Sequence, residues 1–151
     1  MIEIEAYTDA LVSHAMETGW FDQVNEHEPK SAIGNGMTAA VWFTRLRPVP
    51  AASGLNVTTG VLEMRLRIYT SMTSEPLDQI DPRVVKATGD LLERYSGDFT
   101  LDGMIRNVDL LGEFGQALEA LSGYLDVSGT KMRVVDIMVP LVINDLFGQE
   151  A

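Results

Sequence analysis

The chain has 151 residues, with 22 acidic and 11 basic side chains, a formal net charge of −11 and no cysteine. That length suits one domain burying roughly two thirds of its unfolded surface, so no disulfide or metal staple is required. The charge disfavours general binding to phosphate backbones, and the missing cysteine excludes disulfides and thiol catalysis.

The start, MIEIEAYTDALVSH, carries acids where a secretory leader needs bases. No apolar run approaches the roughly 20 residues of a spanning helix, so we expect a soluble protein made in the cytoplasm. From Ile2 to Thr18, Ile4, Tyr7, Leu11 and Ala15 recur at helical spacing, and Gly19 supplies a stop. Through residue 29 the acids Glu3, Glu5, Asp9, Glu17, Asp22, Glu26 and Glu28 meet no Lys or Arg, which gives this first helix an acidic outer face. EPKSAIGNGM reads as loop.

Strands are expected at about Thr38 to Arg47 and Val57 to Thr70. Between them PVPAASGLN is long for a hairpin connection and rich in residues that leave a ladder, which predicts a protruding arm carrying Val49, Ala51, Ser53 and Leu55. The second strand alternates Leu62, Met64, Leu66 and Ile68 with Glu63, Arg65, Arg67 and Tyr69, which fixes its register. In the first strand Val41 and Phe43 share a parity with Arg45 and Arg47, so both faces should be covered. Asp81-Pro82 opens a second helix with a buried stripe of Val84, Ala87, Thr88, Leu91 and Tyr95, ended by Gly97. FTLDGMIRNVDLLG and ALEALSGYLDV read as further extended segments, although GQALEAL also fits a helical turn.

Ser128-Gly129-Thr130 turns the chain into MRVVDIMVPLVIND. One face of this last strand holds Val135, Ile137, Val139, Leu141 and Ile143, and the other Val134, Asp136, Met138, Pro140 and Val142. Pro140 donates nothing to a ladder, which predicts an edge or bulged position. The order of elements predicts an α+β domain over residues 1–151: one antiparallel or mixed sheet flanked by two helices, with a flexible tail from about 147.

Candidate chemistry is sparse. His14 and His27 are the only histidines, and the Glu26-His27-Glu28 run cannot converge on one metal because neighbouring side chains diverge. Glu75, Asp78 and Asp81 lack calcium-loop spacing, and Gly34-Asn35-Gly36 and Gly112 to Gly115 read as turns rather than phosphate cradles. No serine has a nucleophile-elbow context. We expect no catalytic residue, no metal and no cofactor. The distinctive feature is a basic sheet face of Arg45, Arg47, Arg65 and Arg67 with Val41, Phe43 and Tyr69, four of the 11 basic residues. It reads either as a solvated face or as a contact surface, for nucleic acid less readily than for protein given the acidic remainder. Paired with an acidic helix it suits head-to-tail packing of copies into a ring, with Val134, Asp136, Met138 and Val142 completing the contact.

Taken together, the acidic helix before GWFDQVNEHEP, the strand AAVWFTRL, the loop PVPAASGLN, the strand VLEMRLRIYTS, the lead EPLDQIDP and the closing GYLDVSGTKMRVVDIMVPLVIND resemble, over nearly the whole chain, a tail terminator protein of a long, non-contractile-tailed phage of the actinobacteriophage type. The resemblance implies a virion structural protein without enzymatic activity. It implies a hexameric ring on the head-proximal end of the tail tube, with the tube protein and head-tail connector proteins as partners. DNA would pass through an acidic channel without specific binding. The arm at residues 48–56 would reach a neighbour or the tube. A head completion or connector adaptor, or a small ligand-binding α+β domain with a polar pocket, are the alternatives.

Overall fold

The structure is a computed structural model that describes residues 3–27, 36–49, 57–71, 80–127 and 129–148. The elements run α1 (Ile4–Glu17), β1 (Gln23–Asn25), β2 (Met37–Pro48), β3 (Val57–Ser71), α2 (Ile80–Gly97), β4 (Asn107–Val108), β5 (Glu119–Val127) and β6 (Thr130–Gly148). The class is α+β. The sheet is ordered β1-β2-β3-β6-β4, with β5 also paired to β6, and β1 lies parallel to β2 while the other pairings are antiparallel.

Both helices lie on one face of the sheet because each has one apolar stripe to bury. In α1 the stripe is Tyr7, Leu11, Val12 and Ala15, and in α2 it is Val84, Ala87, Leu91 and Tyr95. They pack on Leu62, Met64, Leu66 and Ile68 of β3 and on the odd-numbered positions from Val135 to Ile143 of β6. Gly19 ends α1 with φ of 77°, a left-handed conformation that glycine adopts without a Cβ clash. The buried Tyr95 hydroxyl donates to the Leu11 carbonyl at 2.9 Å, and His14 Nε2 meets Asp98 Oδ2 at 2.8 Å, so the helices are joined by polar bonds as well as by packing. Burial raises the Asp98 carboxyl, but the Asp102 amide and His14 outweigh it and hold the group below its ordinary value.

Two expectations need correction. First, β6 is not an edge strand: β3 pairs one side of it from Met132 to Gly148, with its register shift between Ile143 and Phe147 rather than at Pro140, while β5 and β4 share the other. Pro140 sits where that second side passes from β5, which ends opposite Met138, to β4, which begins opposite Leu141. Its missing N–H falls in the gap, and its carbonyl accepts the Asp109 amide at 2.9 Å. Second, FTLDGMIRNVDLLG is mostly tight turn, with Leu101, Asp102 and Gly103 all at positive φ, and only Asn107–Val108 extended. The ALEALSGYLDV segment is strand, as expected, and forms the β5–β6 hairpin.

A bulge in β2 resolves the mixed parity of that strand. Pairing runs Val41↔Leu66, Trp42↔Arg65 and Phe43↔Met64, then skips Thr44 and resumes at Arg45↔Glu63 and Arg47↔Val61. The extra residue exchanges the faces, so odd positions point to the core before it and away from it afterwards. Deleting Thr44 should force either Arg45 and Arg47 toward the core or Ala39 and Val41 out of it, lowering stability by at least about 3 kcal/mol in thermal or urea unfolding. An unchanged midpoint would show that the bulge does not set the register.

Candidate assembly surface

The face of the sheet away from the helices is built from cross-strand rows. Ala40, Arg67 and Asp136 form one row, Trp42, Arg65 and Met138 the next, and then Arg45, Glu63 and Pro140. Because directly opposed side chains share a face, the four arginines do gather on one surface, as the sequence suggests. Their aromatic companions are Trp42 and Tyr69, whereas Val41 and Phe43 belong to the helix-bearing side. Val41 is buried there, and Phe43, near the sheet margin, remains 50% exposed.

The arginines do not form a free cationic patch. Arg67 grips Asp136 through Nε to Oδ1 and through Nη2 to Oδ2 at 3.0 Å, and its guanidinium lies 5.3 Å from the Trp42 ring centroid and 5.9 Å from that of Tyr69. The hydrogen bond to Asp136 raises the Arg67 pKa against the opposing effect of burial. Arg65 Nη1 approaches the same carboxylate at 3.8 Å. Glu63 Oε2 stands 3.3 Å from Arg45 Nε and 3.8 Å from Arg47 Nε. Each carboxylate is thus bracketed by two guanidiniums, so among the described residues every arginine of the ladder shares an acid with a second one. Arg45, 65% exposed, is the member most open to solvent.

A loop closes one end of this face. Asp109, itself buried, accepts the amides of Glu113 and Phe114 at 2.8 and 2.9 Å, folding the segment back so that Phe114 packs near Val49, Val61 and Val142. Arg47 Nη2 donates to the Phe114 carbonyl, and Gly115 permits the approach, since a Cβ there would stand 2.9 Å from that nitrogen. At the other end Tyr69, Met132 and Val134 form a small second core with Ala40 and Val127.

These contacts relocate several expected interface residues. Val134 and Val142 are buried by the chain's own Tyr69, Val49 and Phe114, so they offer no apolar contact outward. Val49, expected in the protruding arm, is buried and donates its amide to the Thr59 carbonyl at 2.8 Å. Ala51, Ser53 and Leu55 lie outside the described residues. Asp136 and Met138 stay half-buried on the outer face. Among the described residues no group of His, Asp and Glu is placed to hold a metal ion, and no helix is long and apolar enough to cross a membrane.

The sheet's lateral margins hold what the sequence reading missed. On β5, Leu121 is 62% and Tyr124 56% exposed. Lys131 Nζ and the Arg133 guanidinium lie 5.0 and 4.8 Å from the Tyr124 ring centroid. The alternation in GYLDVSGTKMR is the signal that places Tyr124 opposite Arg133 once the hairpin turn is fixed.

No protein-family model matches the sequence, and no curated protein matches it. Among solved structures the chain is similar to the sheath/tube terminator of an extracellular contractile injection system (PVC) in its extended state, with a TM-score of 0.41 and 8% identity. The match covers 100% of this chain and 60% of that one, so the chain spans less than two thirds of that protein's length. Similarity at this level fixes neither fold nor function.

Removing the Asp136 carboxylate should leave Arg65 and Arg67 facing each other without their shared counterion. We expect Asp136→Ala to cost about 2–3 kcal/mol in urea unfolding, and Arg67→Ala added to it to recover part of the loss. Strict additivity of the two substitutions would show that the ladder is not coupled.

Proposed function

We propose that this chain is a structural, non-catalytic subunit that assembles with copies of itself into a ring at the end of a phage tail tube. One observation carries the self-assembly: large apolar side chains stand half exposed or more on strands near opposite margins of the sheet, Phe43 on β2 and Leu121 and Tyr124 on β5. Groups held on hydrogen-bonded strands lose little backbone freedom when covered, which favours a pre-formed contact over an adaptable one. Single exposed apolar residues are ordinary on a protein surface, but their position on two opposed margins suits contact between unlike surfaces.

The finer assignment follows the tail-terminator resemblance of the segment order. On this reading the ring is a hexamer, sits at the head-proximal end of a long non-contractile tail, and meets the tube protein on one side and the head connector on the other. The formal charge of −11 suits a channel through which DNA passes without adhering, because a negative wall repels phosphates. The outer face, its arginines each tied to Glu63 or Asp136, would then serve as a rigid wall rather than as a nucleic-acid site.

Sedimentation over a wide concentration range, with negative-stain images of the largest species, tests this reading. The expected result is a closed ring whose hole admits duplex DNA. A monomer at every concentration would contradict it.

A further inference from the structure

Near one lateral margin of the sheet, β1 is only three residues long and stops pairing at Ala40, so among the described residues the edge of β2 opposite β3 has no strand beside it from Val41 onward. The gap is a groove of about 360 Å³ whose walls include Ile4, Glu5 and Thr8 of α1, Glu26 after β1, and Phe43. Its character is acidic. The Glu26 carboxyl is held above its ordinary value, first by a hydrogen bond with Asp9, then by its slight burial and by the charges of Asp9 and Glu5. Glu5 and Glu26 thus line the groove with His27 and the half-exposed Phe43, and Asp9 adjoins Glu26 from α1.

At the opposite margin the β5–β6 hairpin carries the complementary set. Tyr124 projects with Lys131 and Arg133 against its ring, on the helix-bearing side of the sheet, while Arg83, Val85 and Lys86 of α2 are all exposed. Val85, 68% exposed, lies with Ser122 and Arg133 around an apolar groove of about 220 Å³ between α2 and the hairpin. Acids are present here too, since Asp126 is opposite Lys131 in register and Glu119 begins β5. The two cations, however, are the groups that lie against the Tyr124 ring, at 5.0 and 4.8 Å from its centroid.

We propose that the Tyr124–Lys131–Arg133 cluster of one copy docks into the groove between Glu5, Glu26 and Phe43 of a second copy. This rests on the self-assembly reading above and names its contact. The cations relieve the crowding of Glu5, Asp9 and Glu26, and Tyr124 covers the exposed part of Phe43. Because the two surfaces lie near opposite margins of one sheet, the contact is heterologous: each copy uses its hairpin on one neighbour and its groove on the other, which generates a ring if the rotation closes. The cations that meet the groove then belong to the hairpin, not to the ladder, whose arginines each already share Glu63 or Asp136.

The sign of the pH dependence follows. Glu26 is harder to ionise in the isolated chain, where Asp9 and Glu5 face it from α1 and His27 adjoins it. An arriving cation favours its ionised form, so assembly releases a proton and weakens as pH falls toward the carboxylate range.

The test uses two variants of the full chain, Lys131→Glu/Arg133→Glu and Glu5→Lys/Glu26→Lys, with circular dichroism melts to establish that each is folded. Each alone should associate at least about a hundredfold more weakly than wild type, the loss expected for two reversed charge pairs. Mixed in equal amounts they should associate again, because the first keeps an intact groove and the second an intact hairpin. Should Arg133→Glu unfold the hairpin, Lys131→Glu alone takes its place, and Tyr124→Ala should weaken association about tenfold with all charges kept. If wild type assembles and the variants assemble equally well, this contact is overturned while the ring reading stands. If wild type never assembles, both fall.

Discussion

The structure depends on covering one strand. The sequence TKMRVVDIMVPLVINDLFG of β6 is apolar on both faces and extends for 19 residues, longer than any of its neighbours. Its backbone needs a partner on each edge and its side chains need cover on each face. The helices bury Val135, Ile137, Val139, Leu141 and Ile143 on one side. On the other, Tyr69 and the loop held by Asp109 close the ends, and Arg67 with Asp136 spans the middle. No single neighbour is long enough for the second edge, so β5 and β4 divide it and Pro140 marks the division.

Much of this was legible because it follows from local periodicity. The helices and their buried stripes, the alternation of β3, the two faces of β6 and the turn before it all follow from spacing, with Gly19 and Gly97 as stops. The missing parts depend on tertiary pairing. The Thr44 bulge is one inserted residue that the mixed parity of the strand signals without explaining, and it decides that Trp42 rather than Phe43 joins the arginines. Pro140 correctly signals a place without a ladder donor. That an interior strand meets the condition at a gap between two partners is a property of the sheet, not of the sequence around the proline. Asp109 likewise reads as one more acid until its buried carboxylate is seen gathering two amides.

Charge shows the same distinction between inventory and arrangement. Four arginines at two-residue spacing look like a binding patch when counted from the sequence. In the fold, Glu63 and Asp136 stand between them, and burying guanidiniums beside aromatic rings requires such partners. The cations around Tyr124 and the carboxylates around Glu26 face outward near opposite margins instead. A surface whose arginines share carboxylates within the chain stabilises the fold, whereas margins that carry exposed rings beside charged side chains are suited to a neighbour. On our reading the first forms the wall of the subunit and the second its joints.

The absence of cysteine allows the head-to-tail claim to be tested directly. Glu26→Cys and Lys131→Cys would be introduced singly and together, and each protein treated with a short bis-maleimide linker before denaturing electrophoresis. The account expects a ladder of covalent multimers from the double variant, inter-chain dimers when the two single variants are mixed, and none from either single variant alone. Dimers from a single variant, or no inter-chain product from the double one under conditions where wild type assembles, would contradict it.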